Sequence, residues 1–126
     1  MDMRDVESNE KLYGFLSNGG FSPEINLKLI KRQIEKNGET IIVIEGKSMV
    51  PFLRSGDRVK ITKLHKLSVG LVILFYTTDI FNKINIVLHR VIKIEGQKIW
   101  TKGDNNSRID EYIHVENVLG EFSGIV

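Results

Sequence analysis

The chain has 126 residues, a formal net charge of +2 and 41% hydrophobic residues. This length fits one domain with one modest core, and the ordinary balance of apolar and charged residues excludes the disordered and fibrous classes. Because the basic residues do not gather in one cluster, the sequence predicts no nucleic-acid partner. The chain contains no cysteine, which excludes disulfides, thiolate metal sites and cysteine catalysis.

The N-terminus, MDMRDVESNE, is charged and lacks the apolar segment of a signal peptide. Spanning a bilayer takes roughly 18–20 apolar residues. The longest apolar run, residues 69–76, has only the length of a strand. We therefore expect a soluble, cytoplasmic chain with no transmembrane anchor, a prediction that is compatible with peripheral contact with a membrane.

The first 38 residues predict one or two helices. Residues 8–17 predict a short one, and a second begins at Ser22 as N-cap, followed by Pro23 at the first helical position. Gly38 supplies the C-terminal stop, because glycine tolerates the left-handed conformation common there. The second helix carries an apolar stripe at helical spacing, formed by Ile25, Leu29, Ile30 and Ile34.

Residues 39–126 predict strands. The candidates are Thr40 to Glu45, Asp57 to Thr62, Leu71 to Tyr76, Asn85 to Glu95, Gln97 to Lys102 and Leu119 to Val126. The first is nearly all apolar, which predicts cover on both faces, and the second alternates with Val59 and Ile61 inward. We expect a mainly antiparallel β domain over residues 39–126, preceded by a helical segment over residues 1–38, in one compact unit.

The loop after the first strand contains a candidate nucleophile, Ser48, in the sequence Glu45 to Pro51. A serine in a turn more often only bonds a nearby backbone amide. Here Gly46 permits uncommon backbone angles and Pro51 stiffens the exit, which favours a rigid and open presentation of the hydroxyl. An attacked carbonyl also needs free backbone N–H groups nearby for its oxyanion.

A candidate base, His89, lies within the long predicted strand, on the same face as Val87 and Val91. A lone histidine on an apolar face is more often a core residue, but a strand would fix the orientation of its ring for a serine. The loop over residues 101–110 reads as a turn, and it also offers two carboxylates, Asp104 and Asp110, either of which could orient the imidazole.

Together these segments resemble the type I signal peptidase superfamily, which includes the self-cleaving repressor peptidases. Residues 46–51, GKSMVP, resemble its G-x-S-M-x-P nucleophile box, and residues 56–59, GDRV, resemble the G-D-x-V box. His89-Arg90-Val91 and the G-D-N of residues 103–105 resemble the base box and the box that follows it. The resemblance covers roughly residues 40–122.

The resemblance implies a β catalytic domain with serine-type endopeptidase activity on a signal or leader peptide. Because His89 stands at the base position, the chain resembles the histidine-base branch of the superfamily, for which Ser, His and Asp act together. Asp110 is then the best positional match for the third residue, and Asp104 shapes its loop. The nucleophile box adds Met49, and Gly46 stands where some relatives carry a hydroxyl donor for the oxyanion. No cofactor and no metal is implied.

Three functions follow from these patterns. The first is a peptidase that cleaves a peptide or protein precursor; the missing anchor favours a cytoplasmic one. The second is a peptide-binding module of the same fold with little or no catalysis. The third, self-cleavage, is disfavoured because the chain has neither an Ala-Gly nor a Cys-Gly dipeptide. His65 and His114 are competing bases outside the boxes, and the oligomeric state stays open.

Overall fold

A computed structural model describes residues 21–126, which form one α-helix and a seven-stranded sheet. The helix is α1 (Pro23–Asn37), and the strands are β1 (Glu39–Val43), β2 (Arg58–Thr62), β3 (Val72–Thr78), β4 (Ile84–Glu95), β5 (Lys98–Lys102), β6 (Ile113–His114) and β7 (Val118–Ile125). Within this part of the chain, no helix has the length and apolar character needed to cross a bilayer. The helix predicted over residues 8–17 lies outside the described residues.

Helix α1 begins and ends where the sequence predicts. The Ser22 hydroxyl accepts the Ile25 N–H at 3.2 Å, Pro23 takes the first position, and Gly38 adopts φ 81° to close the helix. The predicted stripe is partly wrong, because the buried side chains are Leu27, Ile30 and Ile34 while Ile25 is exposed. Ile25 precedes Ile34 by about two and a half turns, which puts the two on opposite faces.

All strand pairs are antiparallel, in the order β1-β2-β7-β3-β4-β5-β6. The prediction of a mainly antiparallel β structure is confirmed. Val59 and Ile61 are fully buried as expected. The expectation that the first strand is covered on both faces is wrong: Thr40 and Ile42 are buried, the other side chains of β1 are at least partly exposed, and within residues 21–126 β1 is the end strand.

The sheet carries a hydrophobic core on each side. One core includes the apolar face of α1 together with β1, β2 and alternate residues of β3. The second contains Ile73, Phe75, Val91, Ile99 and Ile113. The helix therefore shares its core with the strands, and the β3 residues divide between the two sides by strand alternation.

Strand β4 changes partners along its length. Residues 84–90 pair with β3, and pairing with β5 begins only at Arg90, with an irregularity between Val91 and Lys93. His89 therefore lies at the point where the second neighbour joins the strand. No strand within residues 21–126 pairs with the other edge of residues 84–89.

Candidate active site

Ser48 lies in a turn that is anchored in the hydrophobic core. Gly46 enters the turn with φ 80°, and the Val50 N–H donates to the Lys47 carbonyl at 3.1 Å. The residue that follows the serine, Met49, is only 3% exposed, and its side chain belongs to the core beside α1. Ser48 itself is half-buried. The turn thus presents a hydroxyl beside a rigid core rather than on a free loop.

The side chains of Ser48, His89 and Asp110 form one continuous chain of hydrogen bonds. The Nε2 atom of His89 lies 3.1 Å from the Ser48 Oγ, and its Nδ1 atom lies 2.6 Å from the Asp110 Oδ2. A carboxylate only accepts hydrogen bonds, so Nδ1 carries the proton and Nε2 accepts from the serine. The structure brings these three predicted residues together over separations of 41 and 21 positions in the sequence.

Strand β4 carries the imidazole on the same face as residues of the second core. His89 is 8% exposed and meets the Phe75 ring in an edge-on arrangement, with 6.4 Å between ring centroids. Its neighbours on the same face, Val87 and Val91, pack in the second core as strand alternation predicts. The ring can therefore turn little, which keeps Nε2 directed at Ser48.

Thr101 is a site residue that the sequence reasoning missed. Its hydroxyl is buried and donates to the Asp110 Oδ2 at 2.7 Å, and the Asp110 N–H donates to the Thr101 carbonyl at 2.8 Å. The signal was present in β5, where Ile99 and Thr101 alternate onto a buried face. A threonine at a core position needs a hydrogen-bond partner, and the aspartate supplies it.

Asp104 binds Arg90 and not the imidazole. The Nε and Nη2 atoms of Arg90 donate to the two carboxylate oxygens at 2.9 and 2.8 Å. These hydrogen bonds are the main reason why the pKa of Asp104 lies below its ordinary value and why the pKa of Arg90 is raised. Of the two carboxylates that the sequence offers, Asp110 is the one that contacts His89.

Arg90 also ties the loop of Asp104 to two other segments. Its Nη1 atom donates to the Gly70 carbonyl at 2.8 Å, and its guanidinium lies 4.9 Å from the centre of the Phe52 ring. Phe52 follows the nucleophile turn directly, and Gly70 precedes β3. One side chain thus joins three loops around the site.

The G-D-N loop packs against the nucleophile turn. The Asn105 N–H donates to the Ser48 carbonyl at 2.8 Å, and the Asn105 side chain donates to the Lys47 carbonyl at 3.1 Å. A Cβ atom on Gly103 would lie 2.7 Å from the Ser48 carbonyl oxygen and 3.0 Å from the His89 Nε2. Glycine is therefore required at 103 by close approach, a reason that the turn pattern alone did not give.

The Ser48 N–H makes no hydrogen bond to another backbone group within residues 21–126. It is thus available as one donor for an oxyanion. Gly46 offers no side chain for a second donor, and an added Cβ there would meet nothing within 4 Å.

A groove with a volume of about 560 Å³ leads to the serine and the histidine. Its lining includes apolar residues from several elements, among them Ile44, Met49, Leu74, Ile86 and Leu88. Helix α1 closes one side with Asn26 and Ile30. A groove that combines apolar residues with convergent polar groups such as Ser48 and His89 is typical of a ligand site.

Two strand edges line this groove, and each has backbone groups that no strand of residues 21–126 pairs with. In β1 the Gly38 and Ile44 backbones bond towards β2, so by alternation Ile41 and Val43 direct theirs to the other side. In β4 the Val91 N–H donates to a residue next to β3. By the same alternation, the backbone N–H and C=O groups of Ile86 and Leu88 are directed away from β3. No strand within the described residues takes up these groups.

The other two histidines lie elsewhere. His65 and His114 are both exposed, and their nearest acidic groups are Glu121 and Glu116. Over residues 21–126 no group of three His, Asp or Glu side chains has the arrangement of a metal site.

No protein-family model matches the chain, and no curated protein matches it significantly in sequence.

Proposed function

We propose that the chain is a serine endopeptidase that cleaves a peptide or protein precursor, with a signal-peptidase-like fold of the histidine-base branch. The observation that carries the proposal is the unbroken chain of hydrogen bonds from Ser48 through His89 to Asp110. Serine, imidazole and carboxylate in this order form the arrangement by which a hydroxyl is activated as a nucleophile on unrelated folds.

The proposed reaction is acyl transfer to Ser48. His89 Nε2 takes the hydroxyl proton as Oγ attacks the peptide carbonyl carbon, and the Ser48 N–H stabilises the oxyanion that forms. The intermediate collapses, and His89 passes the proton to the departing amine. Water then attacks the acyl-enzyme with His89 again as base, which releases the acid and restores the serine. Asp110 stabilises the imidazolium that exists between these steps.

The groove supports an extended peptide as the substrate. Peptides that add to a sheet edge gain backbone hydrogen bonds along their length, and pockets for alternate side chains give specificity. The edges of β1 and β4 both offer such backbone groups, and the apolar lining favours apolar side chains. A peptide strand between these edges would pass its carbonyl carbons in front of Ser48.

The test is cleavage of an unbiased library of peptides of eight to twelve residues by the purified chain, with products identified by mass spectrometry. We expect cuts that share a pattern of apolar residues at alternate positions, and no cuts with S48A or with H89N. Cleavage that persists in S48A would contradict the proposal, because the activity would then belong to a contaminant or to another residue.

A peptide-binding module is the second candidate, and the groove with its two strand edges favours it independently of the catalytic residues. The same library separates the two. If the parent binds a peptide without cutting it and S48A binds the same peptide equally well, the chain is a peptide-binding module. Peptides that S48A retains and the parent cuts support the peptidase.

A further inference from the structure

We propose that Thr101 is a positioning residue of the site, the fourth member of the chain Ser48–His89–Asp110–Thr101. This inference rests on the proposed function. The Thr101 hydroxyl donates at 2.7 Å to the Oδ2 of Asp110, which is the same oxygen that contacts His89 Nδ1 at 2.6 Å. Thr101 makes no hydrogen bond to Ser48 or His89, and it acts through the carboxylate.

Asp110 needs such a support because of where it lies. It belongs to a loop rather than to a strand, and its side chain is 30% exposed, against 11% for His89. A carboxylate in that position has room to turn towards water. Thr101 holds it at two points, with its hydroxyl on the side chain and its carbonyl on the Asp110 N–H.

Thr101 is itself fixed by the sheet. It lies in β5 opposite Val91, two residues beyond His89 in β4, and its side chain is completely buried. Threonine is stiff about its first side-chain torsion, so the hydroxyl has few directions available. The β4–β5 pairing thus sets the distance between the imidazole and the hydroxyl, with the carboxylate held between them.

The hydroxyl also supports the choice of tautomer that Asp110 makes for His89. With two donors on Oδ2, that oxygen stays an acceptor, and the proton of the imidazole stays on Nδ1. Nε2 is then left with its lone pair directed at Ser48. Loss of the hydroxyl would weaken this choice of tautomer and the orientation of the ring, and would slow every step that uses His89 as a base.

The experiment measures the rate at which a fluorophosphonate probe labels Ser48. We expect T101V, which keeps the shape and removes the donor, to label about 10–100-fold more slowly, the range of a hydrogen bond to a charged group. T101S, which restores the hydroxyl, should stay within about threefold of the parent. If T101V is unfolded at the assay temperature, T101A carries the same prediction.

Thr40 provides the matched control. It is a second buried threonine, 6% exposed, whose hydroxyl donates to the uncharged side chain of Gln33 on α1. T40V removes a buried donor of the same kind away from the site. We expect it to lower the melting temperature without slowing the labelling.

Two readouts separate positioning from a merely structural role. In the D110N background, T101V should slow labelling no further, because Thr101 acts only through that carboxylate. The short contact of His89 Nδ1 with Asp110 predicts a downfield Nδ1–H proton resonance in the parent, which should weaken or shift in T101V and return in T101S. Additive losses, or an unchanged resonance with an unchanged rate, would overturn the inference. A parent that is not labelled at all contradicts the proposed function itself.

Discussion

His89 Nδ1 lies 2.6 Å from Asp110 Oδ2, while the other candidate carboxylate, Asp104, accepts two hydrogen bonds from Arg90. The two aspartates are six residues apart and serve different ends. One is directed at the base, and the other holds the loops that surround it.

The first prediction separates these two roles. D110N should slow labelling of Ser48 by at least about 100-fold, because the amide no longer stabilises the imidazolium or selects its tautomer. D104N should slow it far less and lower the melting temperature instead. The labelling rate and the melting temperature are measured for both variants and compared with those of the parent. Equal losses of rate would mean that the assignment of Asp110 is wrong.

Much of this site could be predicted from local patterns. Ser48, His89 and the G-D-N loop lie in short motifs, and the neighbouring strands have clear periodicity. The role of Thr101 could not be predicted from the sequence, because its position next to the site depends on the register of β4 against β5. That register includes an irregularity between Val91 and Lys93. A sequence shows which face a residue shares with its own strand, and it does not show which residue lies opposite.

The misplaced helix stripe has a similar cause. Ile25 is apolar and lies near the helix start, but the core is made by the face of Leu27, Ile30 and Ile34. Which side of an amphipathic helix is buried depends on the sheet beneath it. Likewise, the apolar composition of β1 is typical of an inner strand, although among the described residues β1 is the last strand of the sheet and borders the groove.

The second prediction concerns Gly103. G103A should slow labelling by more than about tenfold, because the new methyl group would lie 2.7 Å from the Ser48 carbonyl oxygen and 3.0 Å from His89 Nε2. Gly96, in the hairpin between β4 and β5, is the control: G96A meets nothing within 4 Å but must adopt φ 61°. We expect G96A to cost about 1 kcal/mol of stability and to leave labelling unchanged. Normal labelling of G103A would contradict the close approach.

The third prediction is a pH dependence of stability. Arg90 lowers the pKa of Asp104, so the stability from this pair is present above the ordinary pKa of 3.8 and is lost as the pH falls through the lower folded value. Because the pair is partly exposed, we expect R90M to lose about 0.5–1 kcal/mol more at pH 7 than at pH 2.5. Urea unfolding at both pH values measures this.

K60M is the comparison for that experiment. Lys60 and Glu39 form an exposed pair at 3.9 Å, whose loss should give little difference between the two pH values. If the stability losses in R90M and K60M depend on pH to the same extent, the prediction that Arg90 lowers the pKa of Asp104 is contradicted.

The fourth prediction tests the groove. I86K places a charged side chain in its apolar wall and should lower kcat/KM for a cleaved peptide by more than about tenfold, since an apolar contact of this size is worth about 1.5–3 kcal/mol. Labelling by the small probe should change by less than about twofold. I80K is the control, since Ile80 is 92% exposed in the turn between β3 and β4. Parallel losses of cleavage and labelling in I86K would show a damaged site instead of a blocked groove.

The most direct test of the account is the mass of the intact chain after treatment with the fluorophosphonate probe. We predict a single adduct on Ser48, no adduct with S48A, and labelling of H89N slower by at least about 100-fold, the contribution of a general base. A parent chain that stays unmodified while a reference serine peptidase is fully labelled would contradict the account, as would H89N labelled as fast as the parent.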